Sequence, residues 1–403
     1  MKKNSEIKII FITGQRLEDT GGGNKIVTEI INQLARRNNV FSYSLIDIES
    51  RILEKQFPSK IIGSGLDNSV NFFAITSLFF KRNIFILMLR LLKTVKRENP
   101  DIIIDVTGPV LKTVNLFILR LFIHKNRPQY IFFDHSPVKT LLKHSRFYWM
   151  YSILAPWIYR RANMVASVSR ELVSIVARDY GISTRKVAYI YNPINSNNIL
   201  NLASDIPQKD WFKEEERKKH PIIITACRLD ESQKNVSLLI RAFAGLKQEY
   251  SCRLAIIGDG PQKKFLEKLS KDLKIDNDIW FCGYDKNPYK YIMRSDIFVL
   301  STKFEALPLV LGEAMACGCP VISSDCDFGP REILENGKDG ILVPVGDTGA
   351  MSVAIIDLLS NQKKRKEYIA RGHERVKDFS LEKTIDEYEA MFKRVLGGDK
   401  IKE

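Results

Sequence analysis

DIFVLSTKFEALPLVLGEAMACGCPVIS, residues 296–323, contains one complete strand–turn–helix–strand passage. IFVL is a β-branched and aromatic run, Lys303-Phe304-Glu305 reads as a turn, and from Ala306 an apolar helix is expected. Pro308 falls in its first turn, where a missing N–H is tolerated. A Gly-Cys-Pro stop and a second β-branched strand follow. Two strands joined through a helix lie parallel, with the helix covering one face of their sheet.

The same alternation extends in both directions. Upstream lie IIITACRL, VSLLIRAFAGLKQEY, CRLAIIGDG, KKFLEKLSKDL and DIWFCGY; further back, IKIIFIT, DIIIDV, QYIFFDH and ANMVASVS are separated by helical stretches. At 403 residues the chain exceeds one ordinary core, so two doubly wound domains are expected. Residues 1–200 form the first and 201–378 the second. The amphipathic segment 379–403 is expected to pack back towards the first. Residues 194–221, Asn-rich, then charged, then ended by Pro221, read as the linker. Ligands of such sheets bind outside the carboxyl ends of the strands, so the chemistry belongs to residues just after them.

Composition narrows the classes. Forty-five per cent apolar and 27 % charged residues exclude wholesale disorder. The net charge of +15 is confined to one half: residues 1–200 carry 29 Lys+Arg against 14 Asp+Glu, while 201–403 carry 33 of each. A basic half implies an anionic partner. Six cysteines without a C-x-x-C pair, and histidines away from them, give neither zinc spacing nor a disulfide framework. A reduced cytosolic compartment is expected. The start, MKKNSEIKIIFITG, reads as a buried strand and not a signal peptide. No uncharged run approaches the roughly 20 residues that span a bilayer. Residues 69–82, aromatic and ending in Lys81-Arg82, suit an anionic membrane surface, whereas 84–95 read as a core helix.

Three constellations carry chemistry. Gly21-Gly22-Gly23 opens a helix after the first strand, and glycine lets backbone approach an anion closely. The spacing fits neither a dinucleotide fingerprint nor a P-loop. Arg228 and Lys234, in the polar turn RLDESQKN after a strand, suit a diphosphate. The helix start near Leu307, Pro308 and Leu309 offers a second anion site. Glu305 at its mouth and Glu313 deeper would be repelled by phosphate, so they suit uncharged hydroxyl-rich groups, namely a transferred sugar and a ribose. Asp325-Cys326-Asp327 forms a D-x-D, for which turn and cap duty is the preferred reading over metal binding.

With Glu305 and Glu313 spaced as E-x7-E, together with R-L-D-x4-K-N, I-I-G-D-G-P and G-P-R-E-I-L (329–334), the chain resembles the family-4 retaining glycosyltransferases. The resemblance implies the GT-B fold, two Rossmann-like domains facing each other across a cleft, with a nucleotide-sugar on the second. It implies that Glu305 meets the donor sugar and Glu313 the ribose. Arg228 and Lys234 would neutralise the leaving diphosphate, aided by Gly22, Gly23 and the backbone near Leu307. His135 in FFDHS would lie beside the reacting sugar, and Gly283-Tyr284 would meet the base. No metal or other cofactor is expected.

The expected activity is retaining transfer of a hexose or N-acetylhexosamine from a UDP-type donor. The acceptor would be a glycan or polyprenyl-linked sugar, handled by a cytoplasmic protein peripheral to the inner face of the cell membrane. The alternatives are a nucleotide-sugar epimerase, or a non-catalytic basic protein binding membrane or nucleic acid; the main reading expects no nucleic-acid partner.

Overall fold

The computed structural model describes residues 7–13, 22–37, 41–47, 70–74, 84–123, 126–135, 148–247 and 249–397. It divides into two compact units, residues 1–191 with 381–403, and residues 192–380.

Unit 1 is built on a parallel seven-stranded sheet. In chain order its strands are β1 (Ile7–Thr13), β2 (Phe41–Asp47), β3 (Asn71–Ala74), β4 (Ile102–Asp105), β5 (Gln129–Asp134), β6 (Met164–Ser167) and β7 (Val187–Tyr189). Their spatial order is β3-β2-β1-β4-β5-β6-β7, so the chain switches direction between β1 and β4. Ile9, Ile10, Phe11 and Ile12, then Ile102, Ile103 and Ile104, are fully buried, as expected where helices cover both faces of a parallel sheet. Helices Ile84–Glu98, Pro109–Phe122, Tyr148–Tyr159 and Arg170–Tyr180 pack side by side in that order. Helix Gly22–Arg37 packs against the last helix, Leu381–Leu396. Tyr388 of that last helix stacks on Phe133, and Thr384 donates to the Tyr191 carbonyl.

Unit 2 repeats the plan with six strands: β8 (Ile222–Ala226), β9 (Arg253–Ile257), β10 (Ile279–Gly283), β11 (Ile297–Leu300), β12 (Val321–Ser324) and β13 (Ile341–Val343). Their order, β10-β9-β8-β11-β12-β13, puts the switch between β8 and β11. Leu239 and Phe243 of helix Val236–Leu246, and Ile355 of helix Thr348–Ser360, close the core over Leu254 and Ile297.

Three sequence expectations change. The boundary falls after Tyr191, not near residue 200, and the segment expected as a linker folds onto unit 2. One of its asparagines caps a helix and the others lie within it: Asn195 accepts from the Asn198 amide at the start of helix Ser196–Ala203. That helix packs on Leu309–Ala316, and Asn287 donates to Leu202 at its end. The helix expected from Ala306 begins at Leu309, with Pro308 outside it as the cap residue. A residue preceding proline is driven out of the α region, which delays the start. Finally, residues 71–74 of the expected membrane segment form the edge strand β3, and 75–83 lie outside the described residues. Helix Ile84–Glu98 is a core helix, as its pattern predicted, with Met88, Leu91 and Val95 buried.

Candidate active site

The switch point of unit 2 brings together two loops that are about 70 residues apart in sequence, 227–235 after β8 and 301–308 after β11. They are stitched by main-chain and side-chain bonds. The Ser301 hydroxyl donates to the Lys234 carbonyl at 3.1 Å, and Thr302 Oγ1 to the Gln233 carbonyl at 3.0 Å. The Lys303 amide donates to the same Gln233 carbonyl, and Gln233 Nε2 donates to Phe304. Within this frame Lys234 Nζ donates to Glu305 Oε1, which also accepts from Thr302 Oγ1 at 3.1 Å. Sequence reasoning placed Lys234 on phosphate and Glu305 on sugar. The structure joins them as an ion pair, so Lys234 is not a free cation.

Arg228 lies just past β8 with its side chain exposed, and its guanidinium makes no hydrogen bond or salt bridge among the described residues. Glycine at 258 is what lets the neighbouring loop press on this turn. A Cβ there would stand 1.9 Å from the Cys227 carbonyl oxygen, and the Leu229 amide donates to Asp259. The I-I-G-D-G-P signature is therefore a support for the arginine turn.

Glu313, on helix Leu309–Ala316, accepts from the Tyr289 hydroxyl at 3.1 Å. Of the expected backbone donors, Leu309 is already used: its amide turns back to the Leu307 carbonyl. Pro308 has no N–H to offer. Leu307 and Pro308 are buried. Gly329 backs this loop so closely that a Cβ would meet Pro308 Cδ at 2.5 Å and the Ala306 oxygen at 2.6 Å. Gly283 ends β10 with a positive φ of 80°, and Tyr284 beyond it is exposed. Asp325 is held in a fork by Arg331, at 2.5 and 2.7 Å, and the cap position of the next helix is Phe328. The D-x-D thus serves an ion pair, and the cap duty expected of it is not made by its side chains.

Unit 1 places His135 directly after β5. Its Nε2 is sealed from solvent and has no hydrogen-bond partner among the described residues. Burial, then the Lys112 ammonium, hold the imidazole's pKa down to about 3, so the ring is neutral at physiological pH. Lys112 itself is buried, donating to Asp134 Oδ1 at 2.6 Å and to the Phe133 carbonyl. Tyr159 donates to the same carboxylate at 3.3 Å. Gly22 and Gly23 are the first two residues of helix Gly22–Arg37, after β1.

Thr302, Gln233, Tyr289 and the Lys112–Asp134 pair were not singled out from sequence. Only Lys112 left a trace, as a cation inside the apolar run PVLKTVNLFILRLF.

Residues 20–198 match the family described as glycosyltransferase family 4, and residues 207–375 match glycosyl transferases group 1. The chain belongs to the family-4 glycosyltransferases. It is 31 % identical over 281 residues to the N-acetylgalactosamine-N,N'-diacetylbacillosaminyl-diphospho-undecaprenol 4-alpha-N-acetylgalactosaminyltransferase of Campylobacter jejuni, a match covering 66 % of this chain and 73 % of that protein. Over 177 residues it is 31 % identical to the lipopolysaccharide 1,6-galactosyltransferase of Salmonella typhimurium, covering 43 % of this chain and 45 % of the relative. In fold, it resembles the Anabaena protein HepE, solved in complex with UDP. The TM-score is 0.75 at 16 % identity, covering 96 % of this chain and 99 % of that one. This family-4 enzyme therefore has the GT-B fold, and its relatives act in lipopolysaccharide and glycan assembly.

Proposed function

We propose that this glycosyltransferase moves a hexose or N-acetylhexosamine from a UDP-sugar, held in unit 2, to a polyprenyl-diphosphate-linked glycan received by unit 1. The observation that carries the reading is the Lys234–Glu305 couple, locked by Thr302 at the switch point of unit 2. Glu305 has one oxygen committed to Lys234 and Thr302, which suits a group that matches charge and orients hydroxyls, not a nucleophile. Lys234 keeps further N–H donors for a diphosphate, and Arg228 adds an uncommitted guanidinium whose fork fits phosphate oxygens. Glu313, oriented by Tyr289, is assigned to the ribose, and Gly283-Tyr284 to the base.

The bond from the anomeric carbon to the β-phosphate oxygen breaks, and the acceptor oxygen bonds to that carbon from the same face. Its proton passes to the departing phosphate. The developing diphosphate charge is met by Arg228 and Lys234, a fixed arrangement of the oxyanion-stabilising kind. The route retains configuration and assigns no step to a metal. The α linkage named for the Campylobacter relative, and its diphospho-undecaprenol acceptor, support retention and a lipid-linked acceptor.

A panel of nucleotide-sugars scored by thermal shift tests the donor. At a hundredfold excess over Kd, the right one raises the melting temperature of a unit this size by roughly 5–10 °C. If none does, the donor reading fails. An inverted anomer in the product, by NMR, would end the front-face route.

A further inference from the structure

Helix Leu309–Ala316, which carries Glu313, is held by a part of unit 2 that lies outside the strand-end loops. Helix Ser196–Ala203, in the first residues of the unit, packs both on Leu309–Ala316 and on the short helix Tyr289–Ile292. The Tyr289 hydroxyl on Glu313 then joins those two helices to each other.

One grip is a knob in a socket. Ile194 is 2 % exposed and sits over Gly312, the residue before Glu313. A Cβ at position 312 would stand 2.2 Å from Ile194 Cδ1 and 3.6 Å from Cγ1. Glycine within a helix is destabilising relative to alanine, and Gly312 has no positive φ that would require it. Its use here is the close approach of Ile194. The Ile194 amide donates to the Phe379 carbonyl at 2.7 Å, which fixes the knob from behind.

The other grip is polar. Asn287 Nδ2 donates to the Leu202 carbonyl at 2.7 Å and to Asp205 Oδ2 at 2.9 Å. Its Oδ1 is buried with no partner among the described residues, so the side chain holds on through nitrogen alone. Arg294 Nη1 links the Ala203 and Lys290 carbonyls at 2.9 Å each. Asn287 and Arg294 flank Tyr289–Ile292 in the chain, so both ends of that short helix are tied to residues 202–205.

We infer that residues 194–205 form a clasp that positions Glu313 for the donor's ribose, with Ile194 and Asn287 as its positioning residues. Neither side chain is asked to touch the donor; both act through the helix of Glu313 and its Tyr289 partner. Hydrogen bonds from ribose hydroxyls to a carboxylate have a narrow distance range, so a small shift at position 312 is felt there. The inference rests on the proposed donor reading for the ribose. It adds to donor recognition a segment that the sequence had offered only as a linker.

The test compares binding of UDP and of 2′,3′-dideoxy-UDP to the full chain by titration calorimetry. The wild type is expected to prefer UDP by about tenfold or more, the size of hydrogen bonds to a charged group. Gly312→Ala drives a methyl group into Ile194 and weakens UDP about tenfold, while the dideoxy analogue changes by less than about threefold. Ile194→Val removes the struck Cδ1 and leaves Cγ1 at ordinary contact distance, so Gly312→Ala/Ile194→Val restores the preference. Asn287→Leu lowers the preference from the other end of the clasp, by about threefold or more. A merely structural role would weaken both ligands together.

If the wild type prefers UDP and Gly312→Ala keeps that preference, the inference is overturned and the donor reading stands. The same holds if Gly312→Ala/Ile194→Val fails to restore it. Equal binding of both ligands by the wild type removes Glu313 from the ribose, and the inference with it. If the wild type binds no nucleoside diphosphate, the donor reading fails, and hydrogen exchange decides whether the clasp sets the position of Glu313. Faster exchange over 285–293 and 309–316 in Gly312→Ala, reversed by Ile194→Val, upholds the clasp; unchanged exchange ends it. Should Gly312→Ala not fold, Ile194→Ala, which empties the socket, is read in the same way.

Discussion

Each unit carries a lysine–carboxylate pair at the carboxyl ends of its parallel strands. In unit 1, Lys112 and Asp134 are 2 and 3 % exposed, and the ammonium is further tied to a main-chain carbonyl. In unit 2, Lys234 and Glu305 are 18 and 11 % exposed and border the exposed turn of Arg228. Chemically the pairs are alike; they differ in whether a ligand can reach them. A closed pair can only hold its surroundings, since nothing can exchange with its hydrogen bonds. An open pair can pass donors and acceptors to a substrate. The difference teaches that burial, not residue type, separates a pair that can only hold structure from one a ligand can reach.

Breaking the closed pair gives the largest effect. Lys112→Met leaves Asp134 charged and buried, which costs about 3–5 kcal/mol of stability. Urea unfolding measures it, and the donor binding proposed for unit 2 is expected to remain. A loss below roughly 1 kcal/mol would mean that water reaches Asp134 and the pair is not closed.

The open pair answers in the opposite currency. Glu305→Gln or Lys234→Met lowers kcat by about 10²–10³, the size expected for one preorganised electrostatic contact. The melting temperature moves less than in Lys112→Met. Equal losses of stability from the two lysines would erase the distinction.

How much of this was legible in the sequence follows the same line. Ile102–Ile104, Ile222–Ile224 and Ile297–Leu300 are buried on both faces, so unbroken apolar runs announced parallel strands. Strand β7, Val187–Tyr189, is short and half-buried at a sheet edge, and carries no such signal. Arg228, Lys234 and Glu305 were legible as charges in loops after strands, a position that is informative in this fold, and Glu313, on a helix, only through its spacing from Glu305. Thr302, Gln233 and Tyr289 were not. Each matters through a partner 24 to 71 residues away, and an isolated threonine or tyrosine in a loop has many ordinary uses. Lys112 misleads in the other direction. A lysine at helical spacing reads as a solvated face, and only the sheet beneath it reveals an acid in reach.

A smaller effect tests the wall behind the open pair. Gly329→Ala places a methyl group against Pro308 and Ala306 and costs about 1–3 kcal/mol by overpacking. Because the displaced loop leads from Glu305 into the Glu313 helix, KM for the donor is expected to rise more than kcat falls. Steady-state kinetics at saturating acceptor give the split. An unchanged KM would detach the G-P-R-E-I-L segment from donor binding.

The smallest effect concerns the neighbour of the closed pair, whose charged form is disfavoured by burial first and by the Lys112 ammonium second. In the unfolded chain His135 takes a proton near pH 6.5, but in the folded protein only near pH 3. Between those values the unfolded state binds more protons, so His135 makes stability rise with pH across that window and fall on acidification. From pH 7 to pH 5 the loss amounts to at most about 2 kcal/mol. His135→Phe removes this slope while leaving the carboxylate contributions in place, so the gap between variant and wild type shifts towards the variant as pH falls. Urea midpoints at the two pH values measure it. If both chains lose the same stability, the imidazole titrates normally, and neither its burial nor the Lys112 ammonium beside it holds off the proton.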